Sequence, residues 1–263
     1  MKHRILGSTL IFAFASAGAM AEESSLFGVP TTYSIGLETY QQTFKMSDSE
    51  GSISEKSMLY GVTGDIRMKF TDTQAMKLST RFAMGNNGHI RGRIGDLSDE
   101  MGNGSLNEFD VRGVYQYTLN AAGQPLTASA GLGYRNHTST FGDSTEYGDA
   151  VSNKSTYTYA TLGVESTFAL SDKVSFTPKL NYNQVLKASQ TLNLGWGDYS
   201  YQPKSGNGIE MAGEFKTKLA GNTLSVTPFY RVWNIKSGES DNNKGKIPGQ
   251  KSTEAGLNVS LAF

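Results

Sequence analysis

Apolar and polar residues alternate with a period of two along most of the chain, and this pattern restricts the fold more than any other feature. The last ten residues give the clearest example. There Ala255, Leu257, Val259, Leu261 and Phe263 occupy one face, and the residues between them are mostly polar or small. Helical periodicity is rare after residue 22. The alternation therefore predicts an all-β chain whose strands have one apolar and one polar face.

The first 21 residues have the organisation of a secretory signal peptide. Lys2 and Arg4 give a positive start, the apolar run Ile5–Gly18 follows, and Ala19–Ala21 supplies a small-x-small cleavage pattern. We therefore expect export, with cleavage after Ala21. The apolar run is too short for a spanning helix of about 20 residues, and no stretch of that length follows it. The chain has no cysteine, so disulfides cannot stabilise it.

Short turns and long polar segments alternate along the rest of the chain. Compact turn sequences lie at 71–74, 120–124, 171–173 and 220–223. Segments rich in Gly, Ser, Asn and Asp lie between them, at 46–57, 86–106, 137–155, 189–207 and 236–252. Tight periplasmic turns and long extracellular loops are typical of outer-membrane barrels. The pattern predicts a membrane-spanning, antiparallel, up-and-down β-barrel of about ten strands.

The same pattern divides the chain into three parts. They are a signal peptide (1–21), an N-terminal periplasmic segment (22–32) and a transmembrane β-barrel (33–263). Most predicted strands reach the roughly 9 to 11 residues that a tilted membrane strand needs. The ten predicted strands are 33–45, 58–70, 75–85, 107–119, 126–136, 156–170, 174–187, 208–219, 223–235 and 253–263.

The two faces of each strand predict what contacts lipid and what fills the lumen. The apolar residues expected to face lipid are Met58, Tyr60, Val62, Ile66, Met68, Phe70, Phe109, Val111, Tyr115, Tyr117, Leu119, Leu224, Val226, Tyr230 and Val232. Charged residues are expected to face the interior. Because an unpaired buried charge costs several kcal/mol, these charges must pair. A ten-stranded barrel is only slightly wider than eight-stranded barrels that side chains fill, so we predict a salt-bridged plug. The predicted lumen residues are Glu38, Asp65, Arg67, Lys69, Lys77, Arg81, Asp110, Arg112, Arg135, Glu165, Lys179, Glu210, Glu214, Lys216, Lys218, Arg231 and Glu254.

The C-terminal strand carries an expected assembly signal. Glu254, Gly256, Val259 and Leu261 resemble the polar-x-Gly-x-x-apolar-x-apolar signature that the outer-membrane assembly machinery reads, and Phe263 resembles the aromatic residue that ends it. With the signal peptide and the turn pattern, the chain resembles the small bacterial outer-membrane β-barrel proteins over its whole mature length. In size it is similar to omptins, adhesins and narrow porins. The resemblance implies residence in the outer membrane, contact with its lipid and lipopolysaccharide, and recognition by the assembly machinery.

Catalytic residues are hard to find in the mature chain. Omptin proteases, which the chain resembles in strand number and loop length, pair two carboxylates with an Asp-His couple. Only His89 and His137 are present after residue 22, and neither lies in Asp-x-His. His137 with Asp143 and Glu146 is the best candidate for an enzyme, although a lone histidine near a loop is expected to be solvated. Without cysteines or paired histidines, no metal or other cofactor is predicted.

Two loop segments are candidate binding sites. Trp196, Tyr199 and Tyr201 lie between glycines and resemble a stacking surface for a sugar or a host protein. Arg91 and Arg93 are placed to meet lipopolysaccharide phosphates. The 24 basic residues balance 24 acidic ones, so no nucleic-acid partner is expected.

Three functions remain open from the sequence. The preferred hypothesis is a non-enzymatic surface barrel that binds or adheres through its extracellular loops. The first alternative is a narrow porin for small solutes, with the inward charges as its filter. The second is an omptin-like or lipid-modifying hydrolase.

Overall fold

The computed structural model is an antiparallel β structure throughout the described part of the chain. It describes residues 25–47, 51–93, 104–121, 124–141, 151–193, 198–203, 205–240 and 246–263. Within these ranges there is no helix long and apolar enough to cross a membrane.

Ten long strands form the wall, and we number them β1 to β10 in chain order. Five shorter strands accompany them, at Ser25–Leu26, Phe168–Ala169, Asp198–Pro203, Gly238–Ser240 and Lys246–Ile247. The long strands are β1 (Val29–Ser47), β2 (Ser52–Lys69), β3 (Gln74–Arg93), β4 (Ser105–Ala121), β5 (Gln124–Phe141), β6 (Val151–Ser166), β7 (Val174–Asn193), β8 (Gly206–Leu219), β9 (Asn222–Ile235) and β10 (Gly249–Ala262).

The sheet closes on itself. Each long strand pairs with its neighbours in the sequence, β7 pairs with β8, and β10 pairs with β1 along nearly its whole length. At the seam, the backbone of Phe263 exchanges two hydrogen bonds with Tyr33, at 3.0 and 3.1 Å. The predicted ten-stranded, all-β antiparallel barrel is confirmed, and closure leaves no unpaired edge along the wall.

Several strands continue beyond their predicted ends. β3 extends to Arg93 and β5 to Phe141, into segments that the sequence pattern assigned to loops. That assignment was wrong for 46–47, 52–57, 86–93, 105–106, 137–141, 151–155, 189–193, 198–203, 206–207, 238–240, 246–247 and 249–252. Polar side chains on both faces are compatible with a strand that is solvated outside the membrane, so the hydrogen-bond ladder does not stop where the apolar face ends.

The described short turns all lie at one end of the barrel. Thr71 and Ser171 begin two similar turns, in which the hydroxyl oxygen accepts hydrogen bonds from the backbone NH groups two and three residues ahead. Ala220 and Gly221 form a two-residue hairpin with φ of 48° and 85°. Positive φ at both central residues suits a hairpin turn because its twist matches that of the strands.

The outside of the wall carries a belt of exposed apolar side chains. Tyr60 is 63% exposed and Leu132 60% exposed, which a soluble barrel would avoid. Six other residues that were predicted to face lipid are half-buried. They are Ile66, Met68, Val111, Leu224, Val226 and Val232. Other members of the belt that were predicted to face lipid are Met58, Val62, Phe70, Phe109, Tyr115, Tyr117, Leu119 and Tyr230.

Candidate functional site

The interior of the barrel is crossed by a buried cluster of three glutamates and three arginines. We call these residues the central charge cluster: Glu38, Arg81, Glu108, Arg135, Arg231 and Glu254. They come from β1, β3, β4, β5, β9 and β10. Because inward residues alternate with outward ones on each strand, these six side chains converge on the axis.

Glu108 is the most heavily bonded acid of the cluster. Its Oε1 lies 2.8 Å from Arg135 Nη2, and its Oε2 lies 3.3 Å from Arg81 Nη2. The Tyr40 hydroxyl donates to Oε2 at 2.8 Å, and Gln42 Nε2 donates to Oε1 at 2.5 Å. A buried carboxylate with this many donors is compensated for the loss of water.

One ion pair spans the full diameter of the lumen. Arg135 on β5 and Glu254 on β10 form a buried ion pair, and four strands lie between β5 and β10 in either direction around the wall. Glu254 also receives Arg81 Nη1 at 2.9 Å and Arg231 Nη1 at 3.2 Å. Side chains from opposite walls therefore meet at this level.

Glu38 completes the cluster with two longer contacts. Its carboxylate oxygens lie 3.7 Å from Arg81 Nε and 3.8 Å from Arg231 Nη2. The guanidinium of Arg231 also stacks over the Phe229 ring, 3.9 Å from its centroid. Three acids and three bases balance in charge, which is the condition for keeping all six ionised away from bulk water.

His137 lies on the extracellular side of the cluster and is buried, at 5% exposure. Its Nδ1 is 2.9 Å from Glu108 Oε1, and its ring stacks on Phe44 with centroids 5.5 Å apart. The expectation of a solvated loop histidine was wrong, because β5 continues past Asn136 and its register turns His137 into the lumen.

Aromatic and amide side chains form a second layer beside the cluster. Trp233 packs against Tyr157 and Tyr159, and the Arg135 guanidinium lies 5.1 Å from the Trp233 ring centroid. Tyr157 donates from its hydroxyl to Gln250 Oε1 at 3.3 Å, and Gln250 in turn donates to Gln190. This layer thickens the plug on the extracellular side.

The periplasmic half of the lumen is a charged chamber of about 210 Å³. Glu210 accepts from Arg112 Nη1 at 3.0 Å. Glu214 lies 2.7 Å from Lys179 Nζ and 2.9 Å from Lys216 Nζ. The remaining predicted lumen residues of this half also meet polar partners: Asp65 with Lys77, Glu165 with Lys179, Asp110 with Tyr159, and Arg67 with Gln116.

Two predicted lumen lysines lie at the exposed periplasmic rim. Lys69 pairs with Asp72 at 2.7 Å, and Lys218 donates to the Thr223 hydroxyl at 3.1 Å. The hydrogen bond and charge of Lys69 lower the pKa of the exposed Asp72 carboxyl. Neither lysine takes part in the plug.

Glu108 and Glu55 are buried acids that the sequence analysis missed. Glu108 precedes Asp110 by two residues on the same strand, so the alternation that selected Asp110 could have found it. Glu55 fell in a segment predicted as a loop. It is buried and accepts from the Ser57 hydroxyl at 2.8 Å.

The candidate loop residues are only partly within the described chain. Trp196, Asp143 and Glu146 lie outside the described residues. Tyr199 and Tyr201 both lie in the short strand Asp198–Pro203. Tyr201 is partly buried, and its backbone pairs with Gln190 on one side and Ser240 on the other. Arg91 and Arg93 pair with Ser54 and Ser52 on β2.

The described acids and histidines form no group of three that could hold a metal ion.

The residues of the expected assembly signal lie in the closing strand. The Phe263 ring stacks on Tyr33 with centroids 6.4 Å apart, at the periplasmic end. Gly256 faces the β1 backbone, and a Cβ there would lie 2.3 Å from the Thr39 carbonyl oxygen. Val259 and Leu261 pair with Leu37 and Ile35.

The architecture matches solved outer-membrane proteins. The outer-membrane protease OmpT from Escherichia coli superposes with a TM-score of 0.63, at 13% identity, over 89% of this chain and 96% of that one. This chain has the fold of an outer-membrane β-barrel. At this identity the likeness extends to the fold alone.

Weaker similarities reach other barrels. The transport unit of the autotransporter AIDA-I from Escherichia coli has a TM-score of 0.49 at 10% identity, over 95% of this chain and 96% of that one. Neisserial surface protein A has a TM-score of 0.37 at 12% identity, over 87% and 97%. No protein-family model and no curated protein matches the chain.

Proposed function

We propose that this outer-membrane barrel is a non-conducting surface protein that binds a host or glycan ligand through its extracellular end. The observation that carries the proposal is the Arg135–Glu254 contact across the diameter of the lumen. A lumen closed by paired charges leaves the extracellular surface as the part of the protein available to a partner.

The strands support this role by rising above the membrane. On β3, Met84 is the last apolar side chain that the structure describes as exposed, and the strand continues for nine more residues to Arg93. At the usual rise and tilt of barrel strands, nine residues add roughly 20 Å along the axis. A rigid wall of this height carries the loops clear of the lipid headgroups, which suits recognition of another surface.

Planar-bilayer recording tests the closed lumen. The refolded full chain should give no steady single-channel steps, because ion pairs and aromatic side chains occupy the path. Protection of the barrel from protease in vesicles of the same lipid would verify insertion. Clear and reproducible steps from inserted protein would overturn the proposal in favour of the narrow porin.

Surface display tests the binding role. Cells that display the full chain should adhere to fixed epithelial cells or to a glycan array. Replacing Trp196, Tyr199 and Tyr201 together by alanine should abolish adhesion and leave the heat-modifiable, folded barrel intact. A matched variant at three lipid-facing aromatics, Phe109, Tyr115 and Tyr117, should adhere normally. Adhesion that survives the loop variant would reject this site.

A hydrolase is the second candidate, and the His137–Glu108 contact of 2.9 Å favours it. A histidine oriented by a carboxylate is the usual arrangement of a general base. However, the His137 side chain is enclosed by Phe44 and the central charge cluster, and a substrate would have to displace them. Peptide or lipid hydrolysis that is lost in His137→Ala would favour the enzyme.

A further inference from the structure

Charge on the outside of the barrel wall has a single sign. On the strands of the wall, every acidic side chain that the structure describes points into the lumen, and Asp72 and Asp172 lie in periplasmic turns. Exposed lysines occupy the outside of the wall, all beyond the extracellular edge of the apolar belt. They are Lys45, Lys56, Lys154, Lys187 and Lys251.

Three of these lysines are neighbours on adjacent strands, and we call them the lysine patch: Lys45, Lys56 and Lys251. Lys45 on β1 is the direct cross-strand partner of Lys251 on β10. Lys56 on β2 pairs with Thr43, two residues before Lys45 on the same face. Direct partners have Cβ atoms about 5 Å apart and diagonal neighbours about 7 to 8 Å, so one small group can reach all three amines.

The patch has no internal compensation. None of the three lysines forms an ion pair with an acid in the described part of the chain, whereas the lumen acids of the central charge cluster are all paired. Like charges directly opposite each other on a sheet destabilise it. An anion bound between Lys45 and Lys251 would convert this repulsion into attraction.

The height of the patch identifies the source of the anion. On β2, Lys56 lies two residues beyond Met58, the last exposed apolar side chain on that strand. Two residues rise about 5 Å along a tilted strand, and the headgroup layer on each side of a bilayer is about 5 to 7 Å thick. Lysine side chains at this position extend toward the headgroups. Thr43 and Thr253, which pair with each other beside the patch, add hydroxyl donors.

We propose that the lysine patch binds the phosphate of a lipid in the outer leaflet of the membrane. Phosphate is the expected group because it can accept hydrogen bonds from several ammonium and hydroxyl donors at once. Arg91 and Arg93 pair with Ser54 and Ser52, next to the patch along β2, so the register adds two further basic positions on β3. The site is independent of any ligand bound by the extracellular loops.

Binding of lipid A to the full chain, refolded in detergent without lipopolysaccharide, tests the proposal. Diphosphorylated lipid A should bind, and the same acylated disaccharide without phosphates should bind at least tenfold more weakly. A triple variant of the patch should weaken lipid A binding at least tenfold. It combines Lys45→Gln, Lys56→Gln and Lys251→Gln. Replacing three lysines at the periplasmic end, Lys69, Lys173 and Lys218, removes the same charge and should change binding less than twofold.

Three outcomes would overturn the proposal. The first is equal binding of lipid A by the patch variant and the unmodified protein, with heat-modifiability verifying that both are folded. The second is an equal loss in the periplasmic variant, which would indicate attraction by net charge alone. The third is displacement of lipid A by inorganic phosphate at low millimolar concentration, which would identify a site for a free anion.

Discussion

His137 and Glu108 face each other across β5 and β4, with Nδ1 of the histidine 2.9 Å from Oε1 of the glutamate. The same Oε1 lies 2.8 Å from Arg135 Nη2. Glu108 therefore joins the extracellular layer of the lumen to the central charge cluster, and the stability of the plug depends on it more than on any acid at the rim.

Glu108→Gln should lower the free energy of unfolding by about 3 to 5 kcal/mol, the usual cost of breaking a buried ion pair from one side. The substitution keeps the volume of the side chain but leaves Arg81 and Arg135 with less negative charge around them. Urea unfolding in micelles, followed by tryptophan fluorescence, measures the effect. Asp72→Asn breaks the exposed Lys69–Asp72 pair and should leave the urea midpoint nearly unchanged, because an exposed ion pair is screened by water. Equal effects would contradict the closed plug.

Glu214→Gln should have an intermediate effect of about 1.5 to 3 kcal/mol, the range for hydrogen bonds to charged groups. Glu214 forms ion pairs with Lys179 and Lys216. It lies on the wall of the periplasmic chamber, however, and the Lys216 side chain is 39% exposed. Water can therefore replace part of what is lost. The same urea titration gives the ranking. A loss as large as that of Glu108→Gln would mean that the chamber is dry.

Gly133→Ala should destabilise the barrel by about 1 to 3 kcal/mol through overpacking. A Cβ at this position would lie 2.2 Å from Cζ of Tyr159, whose hydroxyl donates to Asp110 across β5. Gly113→Ala is the matched control, because a Cβ there meets nothing within 4 Å. Unfolding midpoints of the two variants should differ clearly. Identical midpoints would show that the Tyr159 ring moves aside at no cost.

Phe263→Ser should separate assembly in cells from folding in the test tube. If Phe263 serves as an assembly signal, the amount of folded barrel in the outer membrane should fall several-fold. Refolding into detergent should be nearly unchanged, since the Phe263–Tyr33 contact is a single aromatic pair worth about 0.5 to 1.5 kcal/mol. Heat-modifiability on gels measures both. An equal loss in both settings would make the role of Phe263 purely structural.

The order of short turns and long polar segments was enough to predict ten strands, and period-two alternation predicted the inward face of most of them. It selected Arg81, Arg135 and Glu254 for the lumen from their spacing alone. It could not give their partners, since Arg135 and Glu254 are 119 residues apart in the chain and meet only because the barrel closes. For the same reason, the pairing of Lys45 with Lys251 cannot be read from spacing.

The sequence by itself determined the fold class, the strand number and the orientation of most side chains, because one side of each strand must suit lipid and the other must not. The tertiary structure decided how far the strands extend beyond the lipid, and so turned His137 from a loop residue into a buried one. It also decided which inward charges meet across the lumen. The physical reason is that the pairing of inward charges depends on the circumference and register of the whole sheet. The sequence of a single strand specifies neither.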